Sequence, residues 1–427
     1  MNLKYPKHHS IKTGPINKCQ VCANDKLRLI LDLGHQPPCD SLLTSKTLNT
    51  PEKTYPLHMM WCEKCTLIQI DYCVDGKEVY YPEYPYRTGI SKPLVVYQKD
   101  IANSLIEKYS LNKNDLVVDI GSNDGTLLSG FKSKGIKTLG IEPTNMAQYA
   151  NKHGIKTLQK FFDIGTSKEI FEKYGKAKII TTTNVFAHMQ TLGEVIMGVY
   201  NLLEDDGVFI SETHYLMDVI KDVQFDTIYH EHLRTYSLKS LITLFNQYDF
   251  TVTDVERGSR YGGNIRIHVM KGRNRPVSEN VKNLLKLEKD AGLERIETYR
   301  EFAQKVKKAR LDFMSFIINA KKSGKTVVGK SCPGRASTLL NYYGVDKELM
   351  PYLAELHNSL KLGMYLPGKH IPIVKEKILF RDQPDFVVIL SWHYQEVITT
   401  RLKKDGLKSD FVIPLPNFRI IKNSSIK

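Results

Sequence analysis

Residues Tyr229-His230-Glu231-His232 put a phenol, two imidazoles and a carboxylate side by side. Three chemistries fit such a run: a metal site, a catalytic base with its helpers, or a polar turn. If the segment is helical, the metal reading fails on geometry, because His230 and His232 would project about 200° apart. An extended segment would let them converge. A histidine, with an ordinary pKa near ~6.5, suits proton abstraction close to neutrality. His230 reads as structural.

A second set is sulfur. Cys19-Gln-Val-Cys22 and Cys62-Glu-Lys-Cys65 share C-x2-C spacing and are separated by 39 residues. One such turn lets two thiolates grip one ion, and two turns complete the tetrahedral S4 shell that favours zinc. A closed shell leaves no open position for a substrate, so the expected zinc is structural and folds residues 15–75. Cys39, Cys73 and Cys332 are left over and read as structural.

These groups need elements to position them. Residues 116–120 (LVVDI) read as a buried parallel strand, running into Gly121-Ser-Asn-Asp-Gly125 and then a helix. Residues 137–142 read as a second strand ending in Glu142, which stands 21 residues after Gly121. In this strand, glycine loop, helix, strand and acid order, the glycines let the backbone approach a ligand, and the acid can accept both ribose hydroxyls of an adenosine. The loop lacks the middle glycine of a dinucleotide fingerprint and carries polar side chains where a pyrophosphate would lie. It suits S-adenosylmethionine, with Asp119 and Asp124 as candidates near the ammonium and sulfonium. A strand over 178–184 ends at Asn184, with Phe186 and His188 beyond it, and a strand over 207–212 is followed by Thr213 and His214. Both deliver polar groups to the carboxyl ends of strands, where ligands bind in such sheets. The Tyr-His-Glu-His run is expected at the start of a helix. A long helix over about 281–322 bridges to a second α/β unit, where a turn over 331–336 opens a helix and Arg335 could pair bidentately with a phosphate.

At 427 residues the chain calls for two or three domains. The formal charge of +15 would suit nucleic acid, an anionic membrane or a phosphorylated ligand. Lys and Arg alternate with Glu at helical spacing, however, which is the pattern of a solvated helix face rather than a nucleic-acid stripe. No apolar run approaches the ~20 residues that span a bilayer, and the basic N-terminus lacks the apolar core of a secretory signal, so cytoplasm is the expected location.

Taken in order, CQVC, CEKC, IGSNDGTLL with GIEP, TNVFAH, TIYHEHLRTYSL, RYGGNIR and CPGRASTLLNYYG resemble the sugar C-methyltransferases that act on nucleotide-linked 4-keto deoxysugars. The resemblance covers Cys19 to about Ile420. It implies an α/β chain with three parts: a zinc-binding domain (15–75), a central Rossmann-like class I methyltransferase domain that binds S-adenosylmethionine (76–275), and a bridging helix with a C-terminal Rossmann-like α/β domain (276–427). His232 looks like the family's general base, with Tyr229 and Glu231 as close helpers and His188 and Asn184 as further site groups. Gly121, Asn123, Asp124, Gly125 and Glu142 fall on the donor-binding loop and its acid. Tyr81, Tyr84 and Tyr86 fall on an aromatic segment that lines the site, and Arg335 on the half that holds the sugar nucleotide. There the chain departs from the family's usual Gly-Ala-Pro-Ala-Lys-Gly-Asn turn. The implied reaction is removal of a proton next to a ketone, followed by methylation of the enolate carbon. It needs no redox cofactor and no catalytic metal. The expected partners are a sugar nucleotide, with neither nucleic acid nor membrane, and a monomer is favoured. The rivals are an O- or N-methyltransferase acting on a sugar nucleotide and a non-catalytic nucleic-acid-binding protein.

Overall fold

A computed structural model describes residues 5–79 and 86–426. Three main sheets organise them. The central one has seven strands, in the order Phe250–Gly258, Asn264–Lys271, Leu203–His214, Ala177–Thr183, Leu116–Ile120, Lys137–Ile141 and Thr157–Leu158. From Leu203–His214 onward, neighbours in that order run parallel, while Asn264–Lys271 is antiparallel to both of its neighbours. Chain order reverses between Leu116–Ile120 and Ala177–Thr183. Gly121 and Asn184 therefore emerge at a topological switch point, where such sheets hold ligands. The strand Leu116–Ile120 is buried at every position, as expected of a parallel strand covered on both faces.

The C-terminal sheet repeats the plan with six strands, Ile373–Lys375, Leu353–Glu355, Val327–Lys330, Phe386–Ile389, Asp410–Ile413 and Arg419–Ile421, the last antiparallel. Its own switch point lies between Val327–Lys330 and Phe386–Ile389. Arg335 and His393 follow those two strands.

The N-terminal sheet has four strands, and its edge strand comes from far along the chain. Arg234–Thr235 pairs with Ile68–Gln69, beside Tyr55–Cys62 and Leu27–Gln36. Its core is also shared. Leu31, Leu57, Met59 and Trp61 join one apolar cluster with Phe302, Phe313 and Ile317 of the C-terminal part, and Trp61 lies 4.8 Å from Tyr299.

Two expectations about elements need correcting. The bridging helix is two helices, Glu279–Asp290 and Ile296–Lys322. The chain turns between them at Gly292, whose φ of +76° an L side chain adopts only at a cost. The Tyr-His-Glu-His run opens no helix either. It follows the short turn Phe225–Thr227 and leads into strand Arg234–Thr235, with the next helix beginning at Leu238. The His232 amide closes a turn onto the Tyr229 carbonyl at 2.8 Å.

Candidate active site

His232 is buried, and Nδ1 lies 2.7 Å from the Thr227 carbonyl oxygen. A carbonyl only accepts, so Nδ1 carries the proton and Nε2 keeps its lone pair. Burial, followed by the neighbouring His188 and His214, holds the ring's pKa well below 6.5. The imidazole is therefore neutral near pH 7, with one nitrogen fixed as a proton acceptor.

The rings around it come from separate elements. The Tyr229 ring lies tilted against that of His232, with centroids 3.9 Å apart. His188, at the end of the turn Phe186–His188, meets it edge-on at 4.8 Å. His214, the last residue of its strand, lies 4.9 Å away. Burial lowers His188 to about 4, and burial with the Arg335 charge lowers His214 to about 3. Burial also raises the Tyr229 phenol well above 10, so it stays a neutral donor. Glu231 is buried, with one oxygen 3.8 Å from His188 Nδ1 and the other accepting from the Cys39 thiol at 3.2 Å. Cys39 thus touches the site, although its spacing marked it only as left over. Beside it, buried Lys361 donates to Asp40 at 2.5 Å and to the Cys332 carbonyl at 3.0 Å. Cys39, Asp40 and Glu231 are grouped tightly enough to hold a cation, but the Lys361 ammonium already supplies positive charge to that cluster.

His230 points the other way, with Nε2 at 3.3 Å from the Pro56 carbonyl of the N-terminal sheet. It does not converge with His232 on one ion. Among the described residues, the histidines around His232 form none of the groups that bring three ligand atoms within 4.8 Å of one another.

The glycine turn follows strand Leu116–Ile120, the neighbour of the strand that precedes His188. Gly121 has φ +73°, and a Cβ there would lie 2.5 Å from Val185, so only glycine fits. Glu142 accepts from the Asn123 amide at 3.0 Å, the Thr144 amide at 3.0 Å and the Thr144 hydroxyl at 2.7 Å. A carboxylate offers about four acceptor sites, which leaves capacity for a ribose hydroxyl. Asn123 accepts from the Thr88 amide at 2.9 Å and donates to the Tyr86 carbonyl at 3.3 Å. Asp124 accepts from the Gly89 amide at 2.8 Å with one oxygen and from Thr126 with the other. Both oxygens of Asp124, one of the two carboxylates expected near the donor's ammonium and sulfonium, are thus engaged within the protein. Gly125, φ +79°, leads directly into helix Thr126–Lys132. Asp119 is buried against the Thr181 hydroxyl at 2.7 Å, and burial pushes its carboxyl up to about 7.

Asn184 sits at φ +56° with its amide on the Glu212 carbonyl at 2.7 Å, and its side-chain Nδ2 is buried without a partner among the described residues. Tyr86 reaches the Tyr261 hydroxyl at 2.5 Å. Tyr81 and Tyr84 lie outside the described residues. Arg335 is placed otherwise than expected. Its fork closes bidentately on buried Asp226, with Nε at 2.8 Å and Nη2 at 2.6 Å. Trp392 Nε1 adds a third bond to that carboxylate at 3.0 Å. A phosphate would have to compete with a fixed carboxylate for that fork. Arg335 instead fastens the C-terminal unit to the turn Phe225–Thr227, whose Thr227 carbonyl holds His232. The sequence assigns no site role to Arg260, Tyr261 or His393, although the RYGG run is visible in it. Tyr261 is one of the few non-glycine residues at positive φ, +52°, and such strain gathers at functional sites.

The four N-terminal cysteines form a separate cluster. Cys19 and Cys65 sulfurs are 3.5 Å apart, as are those of Cys22 and Cys62, and all four are free. That is too far for disulfides and close to the ~3.8 Å edge of an S4 shell with bonds of ~2.3 Å to zinc. The donor set fits a zinc ion held by Cys19, Cys22, Cys62 and Cys65.

A glycine turn at the switch point, an acid on the next strand and a closed four-thiolate knot define an S-adenosylmethionine-dependent methyltransferase with a structural zinc. Comparison with known proteins agrees. Family models match as "Putative zinc binding domain" over residues 19–80, "Methyltransferase domain" over 97–255 and "C-methyltransferase C-terminal domain" over 259–416. C-methyltransferase NovU of Streptomyces niveus is 31% identical over 415 residues, covering 96% of this chain and 98% of its own. The chain belongs to this C-methyltransferase family. Among solved structures, an S-adenosylmethionine-dependent methyltransferase from Clostridium acetobutylicum ATCC 824 is 16% identical, covering 42% of this chain and 92% of its own at a TM-score of 0.34. Magnesium protoporphyrin IX methyltransferase from Synechocystis PCC 6803, with S-adenosylmethionine bound, is 12% identical, covering 42% and 81% at 0.31. These likenesses are too loose to carry residue roles. Among the described residues, no helix is long and apolar enough to cross a membrane.

Proposed function

We propose that this C-methyltransferase alkylates the ring carbon next to the ketone of a nucleotide-linked keto-deoxysugar, with His232 as the general base. The observation that carries the reading is the fixed tautomer of His232: Nδ1 is tied to Thr227, which leaves Nε2 with its lone pair in a ring packed against Tyr229, His188 and His214. Carbon becomes nucleophilic when a proton leaves beside a carbonyl, because the enolate places its charge on oxygen. His232 takes that proton. Tyr229 and His188, both kept neutral by burial, serve as donors to the developing oxyanion in this reading. Glu231, held by Cys39, sets the orientation of His188 or bonds a sugar hydroxyl. Gly121, Asn123, Gly125 and Glu142 hold the donor, which when bound supplies an electrophilic methyl. Asn123 and Asp124 fix the Tyr86–Gly89 segment beside it. Holding base, acceptor and donor in one crevice removes most of the entropic cost of a bimolecular step. Asn184 and Tyr86 face the acceptor.

The test is proton exchange. Nucleotide-linked keto sugars incubated with the enzyme in D2O, with S-adenosylhomocysteine in place of the donor, should acquire deuterium at the carbon next to the ketone. His232→Ala should abolish both exchange and methyl transfer while leaving S-adenosylhomocysteine affinity within about twofold. Methyl transfer to oxygen or nitrogen without carbon exchange would overturn the proposal.

A further inference from the structure

Arg260 opens the single turn Arg260–Gly262 that leads into strand Asn264–Lys271. It is 5% exposed. Nη2 donates to the Tyr261 hydroxyl at 2.8 Å, and that hydroxyl lies 2.5 Å from the one on Tyr86. Nε and Nη1 are buried and have no hydrogen-bond partner among the described residues, although the guanidinium lies over the Tyr261 ring at 4.4 Å from its centroid. A guanidinium does not shed its charge, and burying it without a counter-ion is costly. The nearby carboxylate of Glu212 is already engaged. It receives Arg266 Nε and Nη2 at 2.9 and 2.7 Å and Tyr97 at 3.0 Å on one oxygen, and Asn264 at 2.9 Å on the other. A permanent anion from outside the protein would complete the site.

Position selects the anion. Tyr86, which braces Arg260 through Tyr261, belongs to the segment that Asn123 ties to the glycine turn. With the ribose on Glu142, a tail extending past Gly121 would reach the carboxyl ends of strands Ala177–Thr183 and Leu203–His214, which border Asn264 and the Arg260 turn. That end carries an amino acid with a permanent carboxylate. An acceptor ketone gains charge only during the reaction and cannot balance a ground-state guanidinium; the acceptor's diphosphate is also a permanent anion, and the titration below separates it from the donor's carboxylate. We propose that Arg260 binds the carboxylate of the donor's amino-acid tail through Nε and Nη1, with Tyr86 and Tyr261 bracing its remaining nitrogen.

The inference rests on the donor lying over the Gly121 turn and is independent of the acceptor. Calorimetric titration of the zinc-loaded full chain tests it with two nucleosides: S-adenosylhomocysteine, which has the amino-acid tail, and 5′-methylthioadenosine, which lacks it. Arg260→Gln should weaken the first about ten- to hundredfold, as expected for lost bonds to a charged group. It should leave the second within about twofold, which also shows that the variant is folded. Arg260→Lys should fall between. Unchanged S-adenosylhomocysteine affinity, or equal loss of both ligands, would overturn the assignment. So would loss of nucleoside diphosphate binding in its place. Glu142→Ala should weaken both nucleosides; if it weakens neither, the donor crevice itself is misassigned and the Arg260 site falls with it.

Discussion

Thr227 decides which nitrogen of His232 can act as a base. Its carbonyl claims the Nδ1 proton, so the ring presents Nε2 without having to choose a tautomer on each turnover. The neighbouring rings decide how readily that nitrogen is lost to acid. Burial lowers the His232 pKa first, and the charged forms of His188 and His214 would lower it further. A lowered value keeps the base free at neutrality, and function is lost only as pH falls well below 6.5. Nitrogen-15 NMR of labelled histidines should therefore show His232 neutral and protonated at Nδ1 at pH 6. His188→Asn or His214→Asn removes one opposing charge and should move the His232 titration upward. An ordinary titration near 6.5 in the unsubstituted protein, or a proton on Nε2, would contradict this account. Cys39 shows the limit of reading single residues. As a leftover cysteine it had no partner in the sequence, yet it donates to Glu231 from 192 positions away.

At the scale of elements, the zinc knot and the catalytic turn are one construction. Cys62 and Cys65 close the loop that leads into Ile68–Gln69, the strand that pairs with Arg234–Thr235 just past His232. Gln20, inside the first knuckle, donates to the Leu233 carbonyl at 3.2 Å, and the Ile70 amide does the same at 3.2 Å. A metal that folds the knuckles therefore holds the residue next to the base. Cys22→Ser should abolish zinc stoichiometry by mass spectrometry. It should also lower thermal stability and quench deuterium exchange together, although the knot touches no substrate. Full exchange activity in a zinc-free, folded variant would refute this coupling. The parts that were legible beforehand are those with local signatures. The glycine turn, its acid and the strand Leu116–Ile120 follow from periodicity and spacing, and the S4 set follows from two C-x2-C turns. The borrowed edge strand Arg234–Thr235 was not legible, because a two-residue strand has no period. Nor was the engagement of Arg335 by Asp226, because 109 residues separate the partners. The split at Gly292 had a visible signal, a glycine in a helical pattern, which the amphipathic run on either side outweighed.

Across the whole molecule, buried neutral histidines tie stability to pH. His9, His188 and His230 are each lowered to about 4 and His214 to about 3, with burial the largest cause in every case. Unfolding returns each to about 6.5. Between those values the unfolded chain binds the proton and the folded chain does not, so each contribution is intact above pH 6.5 and is lost as pH falls toward 4. The slope is about 1.4 kcal/mol per pH unit for each fully differential proton. Asp119 acts in the opposite sense. Raised to about 7, it holds a proton in the fold that the unfolded carboxyl releases down to about 4, so it adds stability as pH falls through the same window. Four histidines against one aspartate leave about 4 kcal/mol per pH unit. A folded protein has only about 5–15 kcal/mol to lose. The formal charge of +15 adds repulsion in the same direction as histidines protonate. Calorimetry should find a melting temperature nearly flat above pH 7 that falls steeply from about 6.5, with unfolding one to two units lower. His9 lies away from the catalytic crevice, bonded through Nε2 to the Val21 carbonyl at 2.9 Å. His9→Gln should therefore remove one proton from the slope. A melting temperature that does not change between pH 6.5 and 5 would mean that these imidazoles are already charged in the fold, and His232 could not then be assumed neutral among them.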